Sequence, residues 1–311
     1  MAGSIVSFST RRTPWSQLGT DISDCRSSGE ALAKAGLDWL VRQTRVQSLE
    51  LQPVYAEGFK LNIRNSDDAP LGIVKDRYQL VQNSEAFAFM DSLVDEGVQF
   101  CQAGQFQGGR KVWILAKLPE RYIIAGDAVS PYVVFINSHD GSTGIKIAMT
   151  PVRVICCNML NLALKRANRT WSAMHTGKIT WKLKEAKHTL VHAHAYMDDL
   201  GREIDELSRK KISEAQIIHL TQQLFPESEK MTDTQKKNTA AMKADFLERY
   251  RNAPDLLNLP NNGYRFINAA SDYATHAKPL RKRSNYQETL FAKIVDGHAF
   301  VDKAYELVKA A

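Results

Sequence analysis

In the middle of the chain three short apolar runs succeed one another with no helical pattern between them: Lys111–Leu118, Tyr132–Asn137 and Lys146–Ile155. Turn-forming residues flank them, in Gly104-Gln-Phe-Gln-Gly-Gly-Arg110 and in Ser138-His139-Asp140-Gly141-Ser142. A doubly wound parallel sheet needs strands that alternate with helices, and that alternation is absent. The expected fold class is therefore α+β: an antiparallel sheet with one or two packed helices, followed by an all-α C-terminal region.

The flanking sequence fills in this outline. Residues 1–30 are rich in Ser, Thr, Arg and Gly with little periodicity, and are expected to form a loosely held arm. From Ser28 to about Gln47 the pattern is helical, with Leu32, Leu37, Leu40 and Val41 able to share a face. Val54–Ile63 and Leu71–Val74 read as strands joined through the turn Asn65-Ser-Asp-Asp-Ala-Pro70, a hairpin. Asn83 or Ser84 caps a helix on which Ala86, Met90, Leu93 and Val94 recur at helical spacing, with Gly97 just past its end. Val98–Gln102, the glycine-rich link and Lys111–Leu118 make a second hairpin, with Arg110 and Lys111 at its tip. A further helix is expected at Cys157–Ala167. Beyond Lys182 the chain is charged and helix-favouring, with segments at 183–210, 214–225, 239–250, 263–276 and 287–308. The expected organisation is an N-terminal arm and helix (1–50), an antiparallel core domain (51–182) and a helical region (183–311).

Charge narrows the choice of partner. The 311 residues carry a net charge of +7 and a sequence pI near 9.1, which favours a polyanion. Between Ile145 and Lys187 lie Lys146, Arg153, Lys165, Arg166, Arg169, Lys178, Lys182, Lys184 and Lys187, with Glu185 as the one acid. Trp171 and Trp181 sit inside this run. Cations for phosphates interleaved with flat rings for unstacked bases are what a single-strand-binding surface needs. The acids concentrate elsewhere, at Asp198–Glu206 and Glu227–Glu229, so the charge is segregated rather than mixed.

Other chemistries find less support. His139 and Asp140 put an imidazole beside a carboxylate, the elements of acid–base catalysis. Adjacent residues on an extended backbone point apart, however, and Asn, Ser, Asp and Gly here are also what a tight strand connection uses. His188 and His192 stand at i and i+4, but His194 is off that face and no Cys or Glu completes a metal-binding spacing. Cys156 and Cys157 have apolar flanks and no activating base, which fits core packing. Gly104–Gly109 lacks the Lys-Ser/Thr ending of a P-loop. No cofactor or metal is expected. The four cysteines show no Cys-x-x-Cys spacing, no secretory signal is visible and the apolar runs are too short to span a bilayer, so a cytoplasmic protein is expected.

Several short motifs in order carry a family likeness: Leu71-Gly-Ile-Val-Lys-Asp-Arg-Tyr78, Gln82-Asn-Ser-Glu-Ala-Phe87, Gly108-Gly-Arg-Lys-Val-Trp113, Asn137-Ser-His-Asp-Gly-Ser142, Thr150-Pro-Val-Arg-Val154, Asn158-Met-Leu-Asn161 and His175-Thr-Gly177. Through them the chain resembles the phage/plasmid-like protein family, a domain of unknown function. The resemblance covers about residues 50–190 and implies carriage on mobile genetic elements. The helix-plus-antiparallel-strand core also looks like that of ring-forming single-strand annealing proteins, including the eukaryotic recombination mediator, a likeness of architecture.

These readings converge on a DNA-binding protein of a phage or plasmid that holds single strands and assists annealing or recombination as a homo-oligomer. Lys165, Arg166, Arg169, Lys178 and Lys182, with Lys146 and Arg153, are expected to hold phosphates; Trp171 is expected to stack on bases and Arg110/Lys111 to reach the second strand. The rivals are a nuclease-like enzyme using His139/Asp140 and a protein-interaction factor acting through the helical region.

Overall fold

A computed structural model of the protein describes residues 15–16, 18–153, 159–162, 164, 169–177, 189–279 and 284–311. Its class is α+β, with two antiparallel sheets in the N-terminal half and helices in the C-terminal half. The large sheet runs in the order β1 (Thr20–Asp21), β5 (Gln99–Phe106), β6 (Lys111–Lys117), β8 (Asp127–Ser138), β9 (Ile145–Arg153) and β10 (Thr170–Ala173), with β7 (Tyr122–Ile124) pairing to β8. The small sheet is β2 (Val41–Gln47), β3 (Tyr55–Arg64) and β4 (Pro70–Lys75).

Both faces of the large sheet are covered, which is why its strands read as nearly unbroken apolar runs. Along β6, Val112, Ile114 and Ala116 enter one core, while Trp113 and Leu115 enter the other. The first core receives α1 (Ser28–Lys34), the short helices α2 (Asn83–Phe87) and α3 (Asp91–Val94), and the long α4 (Thr189–Arg209) through Tyr196, Met197 and Leu200. After α5 (Glu214–Leu224), α6 (Asp233–Asn252) and α7 (Gly263–His276), helix α8 (Tyr286–Asp296) closes the second core with Phe291, Ile294 and Val295. Gly297, at φ +91°, breaks the expected 287–308 helix into α8 and α9 (Ala299–Ala310).

Four further expectations are corrected. The helix over 28–47 ends at Lys34; Gly36 adopts φ +66° and returns the chain, and Val41–Gln47, with β-branched Val41, Thr44 and Val46, pairs with β3 instead. The arm is not loosely held beyond residue 14, because Trp15, Leu18 and Ile22 are buried and Thr20 pairs with Ala103. The described part of the expected Cys157–Ala167 helix is extended: Met159 bridges Val152, and Leu160 N donates to Pro151 O at 2.9 Å. At α2 the cap is Gln82 rather than Asn83 or Ser84; its N–H donates to Glu85 while its side chain is tied to the Val41 backbone.

The two halves share both cores. Tyr196 Oη donates to Leu162 O, Thr150 Oγ1 to Ile294 O and Tyr264 Oη to Asp127 Oδ2, so helices and sheet are joined at several depths. No helix among the described residues is long and apolar enough to cross a membrane.

Candidate functional site

The two sheets meet at the β8–β9 turn, and the close packing there depends on glycine. A Cβ at Gly72 would lie 2.6 Å from the Asp140 Cα, so only glycine lets β4 approach the turn. Asp140 shapes that turn by accepting from Ser138 Oγ at 2.6 Å and from Ser142 N at 2.9 Å. Burial alone would raise its carboxyl pKa, but these hydrogen bonds and the nearby Lys111 hold it below the ordinary carboxylate value.

Below the turn, His139 is fully buried. Its Nε2 lies 2.9 Å from Asn83 Oδ1, its carbonyl accepts from Asn62 Nδ2 at 2.6 Å, and Trp39 packs against its ring at 5.3 Å. Burial, with a contribution from His175, lowers its pKa to about 4, so the imidazole is neutral at ordinary pH. His139 and Asp140 thus have separate hydrogen-bond partners, one in the core and one in the turn.

Above the turn opens a cleft of about 450 Å³, within the size range of ligand-binding pockets. Phe59, Ile73 and Lys75 of the small sheet form one wall, and Gly141–Gly144 with Met174–Thr176 form the other. The floor is a stacked pair: the Tyr78 and His175 rings lie 4.7 Å apart at 17°, with Tyr78 Oη donating to Ser138 O. Around the mouth the character is mixed. Phe59, Ile73 and Met174 are exposed apolar groups, and Lys75 and Arg77 are exposed cations held by no ion pair among the described residues. Thr143 also lines an adjoining groove that contains Lys111 and Lys146, so the cleft continues toward the β5–β6 tip, where Arg110 is exposed.

A domain of unknown function, DUF932, matches residues 70–294, most of the chain. The chain belongs to that family. The DUF932 span takes in every wall of the cleft except Phe59, together with the helices that back the large sheet. Neither the curated proteins nor the solved structures provide a match.

Within this DUF932 chain the expected site residues part company. Arg153 is fully buried, 2.8 Å from Asp127 and 2.9 Å from Asp255, with Tyr264 stacked near its guanidinium; it cannot meet a phosphate at the surface. Arg169 donates to Met149 O at 3.0 Å and its burial depresses its pKa, so it too serves the interior. Lys146 is ion-paired to Asp296. Trp171, opposite Ile147 in the β9–β10 ladder, is half-buried and packs against the first core rather than standing clear for a base. Lys165, Arg166, Lys178 and Lys182 lie outside the described residues, as do Trp181, Cys156, Cys157, His188, the His192 side chain and Arg281–Arg283. His194 bonds Tyr122 Oη through Nδ1 at 2.7 Å and faces Glu120; among the described residues no His, Cys, Asp and Glu cluster could hold a metal.

Sequence reading missed Phe59, Lys75 and Arg77 as a group. Lys75 and Arg77 lie in the family motif Leu71–Tyr78, but only the packing of β4 against Asp140 brings them beside Met174.

Proposed function

We propose that the protein binds single-stranded nucleic acid in the cleft between the small sheet and the Asp140–Gly144 turn, as part of a strand-annealing or recombination system of a phage or plasmid working inside the bacterial host. The observation that carries this reading is the meeting of an exposed aromatic ring, Phe59, with two cations that no carboxylate among the described residues engages, Lys75 and Arg77, in one open cleft. A strand needs a π-face for each unstacked base and positive charge along its backbone. Thr143 extends the path to Lys111, which with the neighbouring exposed Arg110 is expected from the sequence to reach toward a second strand.

The nuclease-like alternative loses its support, because His139 is a buried, hydrogen-bonded imidazole and Asp140 is engaged by its own turn. Fluorescence anisotropy with a labelled oligothymidylate tests the proposal. Affinity is expected to fall as salt rises, by about 0.7 in log–log slope for each phosphate contact. Binding that ignores salt, or survives loss of Phe59 and Arg77 unchanged, would overturn it.

A further inference from the structure

Most of the exposed large apolar side chains among the described residues lie between Leu40 and Ile73, on the small sheet and its β2–β3 connection. The connection is ordered: Ser48 N donates to Val54 O and Val54 N to Ser48 Oγ, both at 2.9 Å. This closed loop presents Leu49 and Leu51 with 102% and 105% relative exposure, and Val54 and Tyr55 beside them. Two leucines held fully in water on a fixed loop are costly unless something covers them, since burying each is worth about 1.5–3 kcal/mol. Glu50, between them, is the one charged residue of Ser48–Val54.

The cleft has the matching character. Phe59, Ile73 and Met174 are its exposed apolar groups, Lys75 and Arg77 line it as cations, and the acid among its lining residues, Asp140, is engaged by Ser138 and Ser142. The loop does not occupy its own cleft: Leu49 and Leu51 are fully exposed and neither lines it. We propose that the Leu49–Glu50–Leu51 tip of one copy seats in the cleft of a second copy, with Glu50 between Lys75 and Arg77. Such a contact joins unlike surfaces, so it propagates head to tail and closes into a ring or continues as a filament. A nucleic-acid strand and the tip then compete for one cleft, and strand binding releases the copies.

The contact rests on the cleft's shape and charge, and the strand-binding reading can fail without it. Sedimentation velocity of the full chain over a concentration series, without nucleic acid, is expected to show association. Leu49→Ser with Leu51→Ser should weaken it by about tenfold or more, as two apolar anchors are lost. Glu50→Lys should weaken it too, and Arg77→Glu added to Glu50→Lys should restore it. A wild-type chain that stays monomeric at its highest soluble concentration, or an assembly indifferent to Leu51, would overturn the proposal. Adding oligothymidylate should dissociate the assembly; a strand that binds while the assembly persists would also overturn it. If no strand binds at all but the charge swap restores association, the tip contact stands and the nucleic-acid reading falls.

Discussion

Arg153 and Arg77 carry the same guanidinium, yet one is part of the framework and the other is available to a ligand. Arg153 lies under the helical half, where Asp127 and Asp255 neutralise it and Tyr264 covers it. Arg77 stands at the cleft mouth beside Lys75, with no acid engaging either among the described residues. Charge counted along the sequence does not distinguish these cases; what matters is whether folding supplies a carboxylate. At the end of β9 it does, and just past β4 it does not among the described residues.

The largest effect expected from this contrast is on stability. Asp255→Ala leaves Arg153 buried with half its compensation and should cost about 3–5 kcal/mol in urea unfolding. Nucleic-acid affinity per folded molecule should not change. A loss of affinity without a loss of stability would move Arg153 to the ligand side of the comparison.

Next comes acid sensitivity. His139 has a folded pKa near 4 against an ordinary value of 6.5, because burial opposes its charged form. The unfolded chain therefore takes up a proton that the folded chain refuses as pH falls from about 6.5 to 4. Stability from this group is complete above that window and is lost through it, up to roughly 3 kcal/mol at 1.36 kcal/mol per unit. His298, lowered to about 4 by burial and then by Lys293, adds to the same trend. His139→Gln should flatten part of the slope in thermal melts at pH 7 and pH 5; an unaltered slope would place the acid-sensitive step elsewhere.

A smaller effect belongs to the rings. Phe59→Ala should lower single-strand affinity by about 1–3 kcal/mol, the usual worth of a base–aromatic stack, with little change in unfolding midpoint. Trp171→Phe should do the reverse, softening the fold while leaving affinity intact, because Trp171 packs against the core.

How much of this was legible in the sequence follows from how local each signal is. The β5–β6 hairpin, the 65–70 turn and helix α7 were legible because turn chemistry and periodicity are written within a few residues. The β2 strand could also have been read: Gly36 marks a helix end, and Val41-Arg-Gln-Thr-Arg-Val46 favours a strand. The fate of Arg153 could not, since Asp255 is 102 residues away in sequence. Nor could the cleft, whose walls come from four separated segments and close at the contact of Gly72 with Asp140.

The most direct test of the comparison is the salt dependence of oligothymidylate affinity in the wild-type chain and in Lys75→Ala/Arg77→Ala. With both exposed cations on phosphates, the log–log slope should shrink by about 1.4, at 0.7 per contact, with unfolding unchanged. An identical slope in the two proteins would show that these cations touch no strand.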